Sequence, residues 1–129
     1  LIFQGTFEKF PGLRVSLLEC GWAWVAPYLW RMDANWKALR DEVPWVERRP
    51  SEYFKDHVKV NTQPVVEPPS ASDLRQVVEW MDGDRTLMFA TDFPHWDFDD
   101  PARTLLELDG ETRKRVFAEN AKEQYALGL

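Results

Sequence analysis

The chain has 129 residues, 44% of them apolar and 29% charged, which suits one soluble globular domain with room for a real core and gives no sign of disorder. A net charge of −6, with an isoelectric point near 4.9, argues against a nucleic-acid groove, which needs a basic face. No stretch of ~18 apolar residues is present, so no membrane span is expected, and no basic region followed by an apolar run marks a leader.

The chain opens on Leu1, Ile2, Phe3, Phe7 and Phe10, an apolar set at helical spacing with no starting methionine and no polar cap. That abrupt start predicts an upstream portion, absent here. Pro11-Gly12 breaks the helix, and Arg14 to Glu19 reads as a short buried strand ending in a carboxylate. A helix follows from about Pro27, with Leu29, Met32, Trp36 and Leu39 on one stripe and Pro44 as its stop. Pro50 to Phe54 forms a turn or helical turn leading into a strand over His57 to Gln63.

Pro64 to Ser72, rich in proline and serine, is expected to be a loop, with Ser72 capping a helix that carries Leu74, Val77, Val78 and Met81 on one face. Gly83 stands where a helix stop is expected. Arg85 to Thr91 is the most continuous apolar run and reads as a fully buried parallel strand, ending at Asp92. The loop DFPHWDFDDP then leads to a short helix over Pro101 to Leu108, and a last helix runs from Glu111 to Leu127.

Helices alternating with three strands imply a parallel sheet with right-handed crossovers. The fold class is therefore α/β, with about three parallel strands and flanking helices. Three strands leave both sheet edges open, and a complete eight-stranded barrel takes ~250 residues, so the chain can supply only its last three strands.

Ligands in such sheets bind beyond the carboxyl ends of the strands, which selects Glu19-Cys20-Gly21, Thr62-Gln63-Pro64 and Thr91 to His95. Asp92, placed directly after Leu87-Met88-Phe89-Ala90, is the strongest candidate for a metal ligand and proton-transfer group; the competing reading is a turn aspartate. His95 can ligate, shuttle a proton or hold Asp92, or can simply pack in its loop. Trp96 can floor a substrate pocket or shield a barrel mouth, and Trp22, with Trp24 and Trp30, can line the pocket or pack in the core. Glu19 reads as a ligand, a general base or the partner of a buried arginine. Asp97, Asp99 and Asp100 read as a solvated, capping loop. The single Cys20 has no acid–histidine pair beside it; it reads as a small buried hydrophobe and fits a reducing, cytoplasmic setting.

The stretches GTFEKFPGLRVSLLECGWAWVAPYLWRMD, RPSEYFKDHVKVNTQP, LMFATDFPHWD and ENAKEQYALGL resemble the C-terminal half of the amidohydrolase-2 family, which includes aminocarboxymuconate semialdehyde decarboxylase-like enzymes. The resemblance covers the whole chain, 1–129, and implies the C-terminal part of a (β/α)8 TIM barrel. It also implies one divalent metal ion, zinc or manganese, used for hydrolysis or non-oxidative decarboxylation of a small-molecule substrate. By the same resemblance Asp92 matches the aspartate ending the eighth strand, which holds the metal or its water. Glu19 falls where several relatives place a histidine that contacts substrate, and so marks a departure. The family's first-strand HxH pair and fifth-strand histidine have no counterpart, which leaves this segment alone a poor enzyme. The expected partner is a second copy or the missing N-terminal half. The alternatives are a catalytically silent module that pairs its open edges and a free-standing small binding domain.

Overall fold

The computed structural model describes residues 1–65 and 68–128. Its elements are α1 (Thr6–Lys9), β1 (Val15–Leu17), α2 (Val25–Ala38), a 3₁₀ turn (Arg40–Glu42), α3 (Pro50–His57), β2 (Val58–Asn61), α4 (Ala71–Trp80), α5 (Gly83–Thr86), β3 (Leu87–Met88), α6 (Gly110–Lys114), a π-helical turn (Arg115–Glu119) and α7 (Asn120–Tyr125). Of the loop expected over Pro64 to Ser72, Val66 and Glu67 lie outside the described residues.

The three strands pair in the order β1-β2-β3, all parallel, with Leu17 opposite Val60 and Val60 opposite Leu87. This is the expected arrangement, although each strand is shorter than its apolar run. Every residue of β2 is buried, as befits a central strand covered on both faces. The helices and the sheet share one core, in which Trp22, Val25, Val60, Met81, Leu87 and Val116 are fully buried.

Local chemistry explains most boundaries. Pro50 occupies the first turn of α3, where its missing N–H is not needed, and Asp33 of α2 accepts from both the amide and the hydroxyl of Ser51 at 2.9 and 2.7 Å. His57, expected to begin a strand, instead ends α3; its ring stacks on Phe7 at 4.4 Å and Nδ1 bonds the Leu13 carbonyl at 3.0 Å. The cap of α4 is Ser70 rather than Ser72, since the Ser70 hydroxyl accepts from the Asp73 amide.

Gly83 is not a helix stop. The left-handed residue that turns the chain is Asp82, at φ 50°, and Gly83 opens α5. A Cβ there would lie 2.7 Å from Val78 Cγ1 and 3.0 Å from Leu87 Cδ1, so close packing excludes a side chain. Arg85 and Thr86, expected in the strand, belong to α5; the Thr86 hydroxyl turns back to the carbonyls of Met81 and Asp82.

The helix expected over Pro101 to Leu108 is a series of turns, with Leu105 at φ 55°. The Arg113 guanidinium donates to the carbonyls of Pro101, Thr104 and Leu105, satisfying groups that helix bonds would otherwise use. Asp109 caps α6 by accepting from the amides of Glu111 and Thr112. The helical stretch then passes through the π turn into α7 and ends at Ala126, φ 52°.

This last stretch ties the amino ends of the strands together. Asn120 Nδ2 donates to the Asp84 and Leu87 carbonyls at the entrance of β3, both at 2.8 Å. Gln124 Nε2 reaches the Val15 carbonyl and the Ser16 hydroxyl on β1 at 3.0 and 3.1 Å. Among the described residues no helix is long and apolar enough to cross a membrane.

Candidate functional site

Parallel strands deliver their C-terminal ends to one rim, so the segments after β1, β2 and β3 meet there. After β3 the Ala90 amide donates to the Thr62 hydroxyl at 3.2 Å, which fixes the outgoing chain against the end of β2. Asp92 takes a left-handed conformation, φ 56°, which aspartate tolerates better than most residues because its short polar side chain bonds locally. The turn is closed by the His95 amide donating to the Asp92 carbonyl at 2.7 Å, and the whole loop by the Asp99 amide donating to the Thr91 carbonyl at 2.9 Å.

That turn brings three polar side chains to one point. His95 Nδ1 lies 3.0 Å from Asp92 Oδ2 and 3.4 Å from Asp97 Oδ1. Asp92, His95 and Asp97 can each offer one ligand atom, and these atoms lie within 4.8 Å of one another. The Asp92 side chain is 21% exposed and the His95 ring 68%, so the carboxylate is sheltered while the imidazole faces solvent. Gln63, at the end of β2, donates through Nε2 to the Asp97 carbonyl at 3.2 Å. Partial desolvation pushes the Asp97 carboxyl up, but hydrogen bonding from Gln63, its own amide and His95 outweighs this and holds it below the usual carboxylate range.

The other expected site residues are placed differently. Glu19 follows β1, is exposed, and adopts φ 55°; its amide donates to Asn61 Oδ1 at 3.0 Å, which anchors the backbone and leaves the carboxylate outward. No hydrogen bond or ion pair joins Glu19 to Asp92 among the described residues. Trp96 is 91% exposed, at the tip of the loop. Trp22 is fully buried in the core. Cys20 is exposed, whereas the sequence reading buries it.

Asp97 is the residue that sequence reasoning leaves in the solvated loop. The signal that finds it is the spacing Asp-x-x-His-x-Asp on a tight turn, where residues three and five positions on can fold back toward the first. A carboxylate–imidazole–carboxylate set suits a borderline divalent ion such as zinc or manganese, which accepts nitrogen and oxygen donors. Alone it can also hold a proton, with His95 Nδ1 facing both acids.

A family model described as Amidohydrolase matches residues 1–127. Among solved structures, a 2,6-dihydroxybenzoate decarboxylase complexed with 2,6-dihydroxybenzoate aligns at 22% identity and a TM-score of 0.72, covering 98% of this chain and 39% of its own. A dihydroxybenzoic acid decarboxylase from Polaromonas, with bound manganese and the inhibitor 2-nitroresorcinol, aligns at 22% identity and a TM-score of 0.71, covering 100% of this chain and 38% of its own. A 2,6-dihydroxybenzoate decarboxylase from Rhizobium gives 22% identity and 0.71, over 98% and 39%. The chain thus spans about two fifths of the length of these structures, and the shared architecture is a partial barrel of α/β type. No curated protein matches the chain.

Proposed function

The chain belongs to the amidohydrolase family, and from that premise we propose that it is the section of a metal-dependent hydrolase or non-oxidative decarboxylase that supplies Asp92 to a divalent-ion centre. The observation that carries this reading is the convergence of Asp92, His95 and Asp97 at the carboxyl rim of parallel strands. Their donor set fits a zinc or manganese ion, with Asp92 as the sheltered ligand and His95 and Asp97 beside it. A bound ion of this kind supplies Lewis acidity, polarising a carboxylate or carbonyl oxygen of the substrate.

The residues of this chain do the rest. Asp92 carries two oxygens, one free to face the ion while the other takes or returns a proton. His95 Nδ1, 3.0 Å from Asp92 Oδ2, orients that carboxylate and provides the next proton position toward solvent. Asp97 Oδ1 faces the same nitrogen at 3.4 Å. Glu19, after β1 on the same rim with β2 between it and β3, is the candidate for discriminating the substrate, and Trp96 for covering it. In this proposal Asp92 is the ligand this chain supplies, with His95 and Asp97 supporting it, and the remaining ligands come from an N-terminal half, since a catalytic centre normally uses about three protein ligands plus water.

Asp92→Ala in the intact protein is expected to lower turnover by about a thousand-fold or more with an unchanged circular dichroism spectrum. Near-normal turnover would remove Asp92 from the mechanism. One observation favours a second reading: β1 and β3 each pair only with β2 among the described residues, leaving edges that another chain can join. A silent module of that kind would be a metal-free oligomer, whereas the enzyme holds one divalent ion per barrel.

A further inference from the structure

A cavity of about 440 Å³ opens at the amino ends of the strands, the opposite end from Asp92. Arg14 stands just before β1, Lys59 is the second residue of β2, and Arg85 lies just before β3; all three line it, with Lys55 and Arg115. Against these five cations stand two carboxylates, Asp56 and Glu123. The chain as a whole is acidic, at −6, so this concentration of positive charge does not follow from composition.

The carboxylates are already committed. Asp56 is shared by Arg48 and Arg85 at 2.8 and 3.1 Å, and Glu123 pairs with Arg115 at 3.2 Å. Lys55 pairs with Asp82 at 2.5 Å. Arg14 and Lys59 have no carboxylate partner among the described residues. Lys59 is only 9% exposed, and its ammonium donates to the Arg85 carbonyl. Burial holds that ammonium below the ordinary lysine range; Glu123 opposes the shift, while Arg85, Arg115 and Arg14 add to it. A nearly buried ammonium facing guanidinium groups lowers its free energy when an anion enters between them.

The geometry points to an anion site in this cavity, and its ligand is an oxyanion of the phosphate class. The Arg14 guanidinium and the Lys59 ammonium, the two lining cations without a carboxylate partner, stand beside the paired Arg85 and Arg115, and together they match several oxygens carrying more than one negative charge. The site shares no residue with the Asp92 cluster, so it stands or falls independently of the metal reading.

The test is calorimetric titration of inorganic phosphate into the intact protein at low ionic strength, repeated in the Asp92→Ala background so that binding at a metal centre does not contribute. Saturable binding is expected in both. Lys59→Met should weaken it about ten-fold or more, and Arg14→Gln, at an exposed position that does not threaten folding, about five-fold, as expected for loss of one charge-assisted contact. The inference is overturned if phosphate shows no saturable binding, as it would if a carboxylate from another segment filled the cavity. It is equally overturned if Arg14→Gln binds phosphate like the parent.

Discussion

Replacing Asn120 with alanine measures how much the C-terminal helical stretch contributes to holding the sheet. Asn120 is fully buried, and its side chain makes three hydrogen bonds: Nδ2 to the Asp84 and Leu87 carbonyls, both 2.8 Å, and Oδ1 from Arg115 Nη2 at 3.0 Å. Each such bond contributes about 1 kcal/mol net, and a buried carbonyl left without its partner costs somewhat more. The Arg115 bond counts for little, because that guanidinium keeps Glu123 and the Asp84 carbonyl. The expected loss is therefore about 3 kcal/mol, a large part of the roughly 5–15 kcal/mol that stabilises an ordinary domain. Urea unfolding followed by tryptophan fluorescence, at unchanged slope, reads this as a shifted midpoint. Asn120→Asp is the sharper variant: it keeps the shape and the acceptor for Arg115 but loses both donors, and it sets a carboxylate against two carbonyls. It should destabilise at least as much as alanine. A loss under about 1 kcal/mol in both variants would refute the claim that these two bonds anchor β3.

Two further substitutions probe the fold. Gly83→Ala should cost about 1–3 kcal/mol in the same assay, because the new methyl meets Val78 Cγ1 at 2.7 Å in a packed interior; a neutral effect would mean that α4 and β3 separate freely. Asp109 is held below the usual carboxylate range, first by the Thr112 amide and then by the Thr112 hydroxyl and the Glu111 amide. A depressed folded value means that its contribution is complete above the unfolded carboxylate value of about 4 and is lost as pH falls through the folded one. Asp109→Asn should accordingly flatten the stability profile on the acid side of about pH 4 and leave its slope near neutrality unchanged; an identical acid limb would contradict the capping role.

How much of this was readable in the residues depends on how local the cause was. The periodicity of Leu74, Val77, Val78 and Met81 placed α4, because an amphipathic face is a property of a few neighbouring residues, and Leu74, Val78 and Met81 are indeed buried. The apolar run before Asp92 located β3 but overstated it. Thr86 turns back to Met81 and Asp82, and the Phe89 amide leaves the ladder to donate to the Val116 carbonyl, a partner far along the chain. Pro101 to Leu108 reads as a helix but folds into turns for a similar reason, since Arg113 supplies the donors from outside the segment. In the candidate cluster, Asp92 and His95 are legible from their position after a strand. The inclusion of Asp97 depended on the left-handed backbone at Asp92, which composition does not disclose.

The two ends of the strands are built on opposite principles, and this separates what substitutions at each end report. At the amino ends, Asn120 and Gln124 bridge from the last helical stretch to β3 and β1, closing contacts across 33 and 109 residues of sequence. Long-range bonds of that kind resist unfolding of the whole unit, because neither strand can leave without breaking them. At the carboxyl ends, the loop from Asp92 to Asp99 is held by its own turn bonds and by Gln63, and its tip at Trp96 stands in solvent. Opening that loop costs little of the core. Barrel enzymes use the same division, with stability on one face and chemistry on the other. An activity loss at Asp92 therefore reports on chemistry rather than on folding, provided that Asn120 and Gly83 variants move the unfolding midpoint and Asp92→Ala does not.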